Sequence, residues 1–208
     1  MSRPFGSWRL FWALALLISA VDCLGLSRAD LHTARGTAPV VLLAVRGALP
    51  FFVVAFTASS LAVLWPGSTT RWLLANRRYF GLTFAFGMAW HFAFVGYFFA
   101  AFGVHLNRTV ITLDLIGASF LLALTLTSFR WASRRLGTKA WRRLHKTGVY
   151  AVWLLATYIY AEAVRWGADV FNLLALAVLL GAWALRLAAW VRRLQAGRSG
   201  VQPSQVSL

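Results

Sequence analysis

Few residues in this chain can bind a metal or move a proton. Its 208 residues include four histidines, one cysteine and five carboxylates. His91 stands in Phe-Gly-Met-Ala-Trp-His-Phe-Ala-Phe-Val-Gly-Tyr, inside an apolar run of membrane-spanning length. An ionisable group at membrane depth is costly to hold and points by default to function. Gly87 lies one turn earlier on the same helical face. Its missing side chain would let a flat macrocycle approach. The competing reading is a neutral imidazole bonded to another helix, with Gly87 serving close helix packing. His145, in Arg142-Arg143-Leu144-His145-Lys146, opens a later apolar run and reads equally as an interfacial histidine in a basic loop. His32 reads as a solvated loop residue and His105 as an interfacial one. Cys23 alone permits neither an intrachain disulfide nor a thiolate cluster. The sequence has no Walker loop and no dinucleotide fingerprint, so a flavin or nicotinamide site is expected on another protein.

The elements that must position these residues are membrane helices. The chain is 60% hydrophobic and 12% charged, with a mean hydropathy of +0.68; a soluble domain carries roughly 25% charged residues. Six segments reach the roughly 20 apolar residues a span requires: 8–26, 38–65, 79–103, 111–129, 147–165 and 168–191. The second contains Pro39, Arg46 and Pro50, and a kink is expected near Pro50. The first resembles a signal peptide but runs into Asp22-Cys23 without a small-residue cleavage site, and is read as a helix. The expected fold is therefore an all-α integral membrane protein, a six-transmembrane-helix bundle over 1–194 with a disordered tail over 195–208.

Charge sets the orientation. Of the 21 basic residues, all but Arg28, Arg35, Arg46, Arg108 and Arg165 fall on one side of this topology, and all five acids fall on the other. The basic side is expected to be cytoplasmic, with both termini there. A net charge of +16 on a soluble protein would suggest nucleic acid. Here the charge lies between spans, and no nucleic-acid partner is expected. The cytoplasmic basic face, including Arg77, Arg78, Arg134, Arg135, Arg142 and Arg143, suits anionic lipid headgroups or docking of an acidic partner.

Two stretches resemble a family. One is Asn76-Arg77-Arg78-Tyr79-Phe80-Gly81-Leu82 followed by Ala89-Trp90-His91. The other is Leu124-Thr125-Leu126-Thr127-Ser128, then Arg134-Arg135-Leu136-Gly137, then Trp141-Arg142-Arg143-Leu144-His145 and Tyr150. Both resemble the MsrQ proteins, haem-binding membrane subunits of the bacterial periplasmic methionine-sulfoxide reductase system, within the wider ferric-reductase-like transmembrane group. The resemblance implies a multi-pass protein of the bacterial inner membrane with haem b held by histidines of the third and fifth spans. It implies electrons entering from a cytoplasmic flavin reductase, which would carry the FMN or FAD, or from quinol, and leaving to a periplasmic oxidoreductase subunit. Arg77 stands where the wider group has the first histidine of the third span.

The chain departs from the family at one ligand. The second histidine of the fifth span, 13 residues after the first, is Tyr158 here. The third and fifth spans run parallel, with Arg77 and His145 near their starts at similar depth. His91 lies about 21 Å further along, at about 1.5 Å per residue. That puts Tyr158 level with His91, although it falls about 220° around the helix from the face of His145, against about 60° for Tyr160. Three readings stay open. His91 binds haem with Tyr158 opposite, or as the sole strong ligand; a tyrosinate lowers the potential and opposes an electron carrier's task. Alternatively haem is displaced toward His145, where arginines could hold its propionates. In the third reading no haem binds, and the chain is a haem-free scaffold for a partner or lipid. Glu162, one turn beyond Tyr158, could accept the phenol's hydrogen bond.

Overall fold

A computed structural model describes residues 8–103, 108–167 and 169–198; His105 lies outside them. The chain forms α1 (Trp8–Arg28), α2 (Ala34–Leu64), α3 (Ser68–Phe102), α4 (Arg108–Thr127), α5 (Arg130–Leu136), α6 (Thr138–Arg165) and α7 (Val170–Arg198), with no strand among the described residues. Six of these coincide with the expected segments. Five (α1, α2, α3, α6 and α7) are long and apolar enough to cross a membrane, and α4 carries a shorter apolar stretch, Ile111–Thr127. Large apolar side chains such as Leu16, Leu115, Leu122, Leu154, Trp166 and Leu174 are exposed on the outside of the bundle. That surface suits hydrocarbon rather than water.

The helices differ from the apolar segments mainly at their ends. α3 begins at Ser68 and α6 at Thr138, well before the hydropathy rises. Backbone hydrogen bonding continues through their polar first turns, so Arg77, Arg78, Arg142 and His145 sit on helices rather than in loops. α2 runs unbroken through Pro39 and Pro50. α7 continues to Arg198, past the expected start of the tail. Local signals fix the junctions. The Thr33 hydroxyl accepts from the Gly36 N–H at 3.1 Å and starts α2. The Thr70 hydroxyl accepts from the Gly67 N–H at 3.0 Å at the start of α3. Gly137 joins α5 to α6 at φ 76°, ψ 154°, a region essentially confined to glycine.

α2 is the central helix and packs on α1, α3 and α7. In lipid, close packing of small residues and interhelical hydrogen bonds replace the hydrophobic drive. Ala44, Ala48 and Ala58 of α2 are fully buried. Polar ties between helices include Trp153 Nε1 donating to the Leu179 carbonyl at 2.9 Å and Arg46 paired with Asp169 at 2.6 Å. A core of Leu49, Phe52, Phe56, Phe84, Val152 and Leu179 holds the bundle and reaches the wall of the site described next.

Candidate functional site: a basic-mouthed cavity

A cavity of about 480 Å³ opens between α2, α3, α4, α6 and α7, within the size range of small-molecule sites. It draws on the C-terminal halves of α2 and α7, the end of α4, and the N-terminal halves of α3 and α6, so it occupies one end of the bundle. Phe52, Phe56, Phe84, Leu121, Leu124 and Val152 give it an apolar wall. Arg77, Arg78, Arg142, Lys146 and Arg186 also line it, and no acid among the described residues does. Such a site takes a ligand with an apolar body and an anionic edge.

His145 lines the same cavity. Its Nε2 lies 3.0 Å from Thr127 Oγ1. The Thr127 hydroxyl donates to the Ala123 carbonyl at 2.6 Å, so it accepts from Nε2–H, and Nδ1 keeps the imidazole lone pair. Trp141 packs on the ring at 4.4 Å between centroids and donates its own Nε1–H to the Thr127 carbonyl at 2.9 Å. The last turn of α4 thus orients both side chains. Arg186 reaches the cavity from α7, its guanidinium 4.2 Å from the centre of Phe56 and 4.9 Å from that of Tyr150. Arg186 Nη1 and Arg78 Nε are buried without a hydrogen-bond partner.

The five sequence candidates divide. Arg77 and His145 line the cavity together, as their equal depth predicts; His91, Gly87 and Tyr158 do not. Gly87 is buried against α2: a Cβ there would lie 2.8 Å from the Ala48 Cβ and 3.4 Å from Ile18 Cδ1. Its small size serves helix packing. The open glycine is Gly81, one of the cavity residues, where an added Cβ meets nothing within 4 Å. Tyr158 is 46% exposed on the outer face of α6, whereas Tyr160 is 6% exposed in the core, in keeping with the helical rotation from His145. Glu162 accepts from Trp166 Nε1 at 3.1 Å and pairs with Arg165 at 3.5 Å, rather than with Tyr158. His91 Nδ1 lies 3.1 Å from the Val41 carbonyl. A carbonyl only accepts, so Nδ1 carries the proton and Nε2 the lone pair, the state a metal-binding histidine adopts. Asp114 of α4 is within electrostatic reach of it. His32 is an exposed turn residue whose backbone N–H bonds Asp30 at 3.0 Å.

Among the described residues no three His, Cys, Asp or Glu side chains converge as a metal site. The cavity instead gathers the two stretches singled out in the sequence: Arg77, Arg78, Gly81 and Leu82 from one; Leu124, Thr125, Ser128, Trp141, Arg142, His145 and Tyr150 from the other. Arg186 was counted there only as a topological charge. Its signal is an arginine within the apolar run of the last span.

A 60-residue stretch of the chain is 45% identical to the protein-methionine-sulfoxide reductase haem-binding subunit MsrQ of Yersinia pseudotuberculosis serotype O:1b (strain IP 31758), and equally to the protein of that name from Yersinia pestis (strain Pestoides F). The match covers 29% of this chain and 29% and 28% of those relatives, under a third of their length. No family model matches the chain, and no solved structure matches it.

Proposed function

We propose that the chain is an MsrQ-like haem-binding membrane subunit that carries electrons across a bacterial inner membrane, with haem b in the basic-mouthed cavity, where His145 would hold its iron. The observation that carries this reading is the cavity itself. It combines an apolar wall, a set of cations without an acid, and an imidazole whose tautomer is fixed by Thr127. Haem is a flat apolar macrocycle with two carboxylates, so the lining fits it. When bound it would supply a one-electron couple, chemistry that none of the lining side chains supplies itself.

The protein's own residues do the rest. Thr127 and Trp141 orient His145. Gly81 leaves the α3 wall open. Phe52, Phe56 and Phe84 exclude water from the apolar part. The basic residues neutralise an anionic edge. All of these sit at the end of the bundle where the sequence concentrates its Lys and Arg residues, the cytoplasmic end under six spans with both termini inside. The donor would then be a cytoplasmic flavin reductase or quinol, and the acceptor a periplasmic oxidoreductase such as a methionine-sulfoxide reductase.

A second reading is favoured by one observation: the Nδ1–H bond of His91 to Val41 leaves Nε2 as a ligand atom elsewhere on α3. The test is a visible spectrum with a pyridine haemochrome assay on protein purified from haem-replete cells. Wild type should show a Soret band, lost or shifted in His145→Ala and retained in His91→Ala. Loss in His91→Ala alone selects the second reading. Well-folded but colourless wild type selects the haem-free scaffold.

A further inference from the structure

The basic residues around the cavity are not equivalent. Arg77, Arg142 and Lys146 are exposed and their charges are solvated. Arg186 is held differently. It rises from an apolar stretch of α7 and lies against Phe56 and Tyr150, at 4.2 and 4.9 Å from their ring centres. Its Nη1 is buried without an acceptor, and so is the Nε of Arg78, which lines the same cavity from α3. A guanidinium has only donors, and a buried donor left unmade is expensive, the more so when charged. No Asp or Glu among the described residues lines the cavity to take either donor.

We propose that Arg186 and Arg78 form a carboxylate-recognising pair that makes this cavity selective for a ligand bearing two carboxylates. This rests on the haem reading above. The guanidinium is planar of itself, and the two aromatic faces hold that of Arg186 pre-aimed, so little freedom is lost when a carboxylate arrives. A lysine carries the same charge but lacks the fork. The exposed arginines add attraction without selectivity, because water already satisfies them.

The full-length chain, freed of haem in neutral detergent, is titrated with haemin and with haemin dimethyl ester, in which both carboxylates are masked. Binding is read from the Soret band and folding from circular dichroism. Wild type should prefer the diacid at least tenfold. Arg186→Met should cut that preference at least fivefold by weakening the diacid alone. Arg143→Met, the same charge change at an exposed residue outside the cavity, should leave it intact. A folded Arg186→Met with the wild-type preference overturns the inference, as does one that weakens both pigments equally. Should Arg186→Met fail to fold, Arg186→Lys decides: its preference must fall below wild type, and an unchanged preference overturns the proposal. A wild type that binds both pigments equally overturns the carboxylate pair alone. One that binds neither overturns the haem reading and the pair with it.

Discussion

Gly87→Ala and Gly81→Ala make the same chemical change six residues apart on α3, and the structure assigns them opposite consequences. At Gly87 the new methyl lies 2.8 Å from the Ala48 Cβ and 3.4 Å from its Cα. Carbon atoms rest at roughly 3.5–4.0 Å. Ile18 can turn its terminal methyl away, but Ala48 has nothing to rotate, so α2 and α3 must part. Overpacking of this kind costs about 1–3 kcal/mol. At Gly81 the methyl meets nothing within 4 Å. Both variants gain the helix preference of alanine over glycine, about 1 kcal/mol. That gain cancels in the comparison, so the difference between the two variants is the overpacking cost alone. Thermal unfolding of both proteins in one detergent, followed by tryptophan fluorescence and performed without haem so that ligand linkage does not enter, should place Gly87→Ala below Gly81→Ala by several degrees. Equal midpoints, or Gly87→Ala the more stable, would refute the packing role and return Gly87 to the candidates for a ligand-facing glycine.

Thr127→Val removes the hydroxyl that holds His145 Nε2 at 3.0 Å; haem affinity measured by Soret titration should fall about tenfold or more, and no change would remove Thr127 from the site. Tyr158→Phe, on the exposed face of α6, should leave the visible spectrum unchanged, whereas a shifted Soret band would put Tyr158 on the iron. Asp22 is 1% exposed with Oδ2 unpartnered, so Asp22→Leu, close in shape, should raise the unfolding midpoint by relieving a burial cost of about 1–3 kcal/mol; a clear drop would reveal a partner for the carboxylate. The Asp30 carboxyl is held below its ordinary 3.8 first by the His32 N–H and then by the Thr33 hydroxyl. Its contribution to the turn is therefore present above that ordinary value and lost as the pH falls through the lowered native one, and carboxyl carbon NMR should show its midpoint below 3.8; a midpoint at or above it contradicts the turn.

The long apolar helices were legible because apolar length is a direct consequence of the bilayer. Their ends were not, because hydropathy drops where a helix leaves the apolar region while the backbone keeps its hydrogen bonds, as in the first turns of α3 and α6. The pairing of Arg77 with His145 followed from counting residues along two parallel helices. The helical period set Tyr158 and Tyr160 on different faces of α6 but did not choose between them; the exposure of Tyr158 and the burial of Tyr160 are read from the structure. Gly81 and Gly87 could not be ranked from sequence: each stands in an apolar helix, and only the approach of Ala48 separates packing glycine from open wall. Arg186 was hidden by its own charge, which topology alone accounts for. The distances to Phe56 and Tyr150 show that it points into the cavity rather than toward headgroups.

The most direct measurement is the position of the iron, from anomalous scattering in crystals of the haem-loaded chain. With haem in the cavity, a peak appears beside His145, within reach of the walls formed by Gly81, Phe56 and Leu124. A peak beside His91 and none at His145 would contradict that placement.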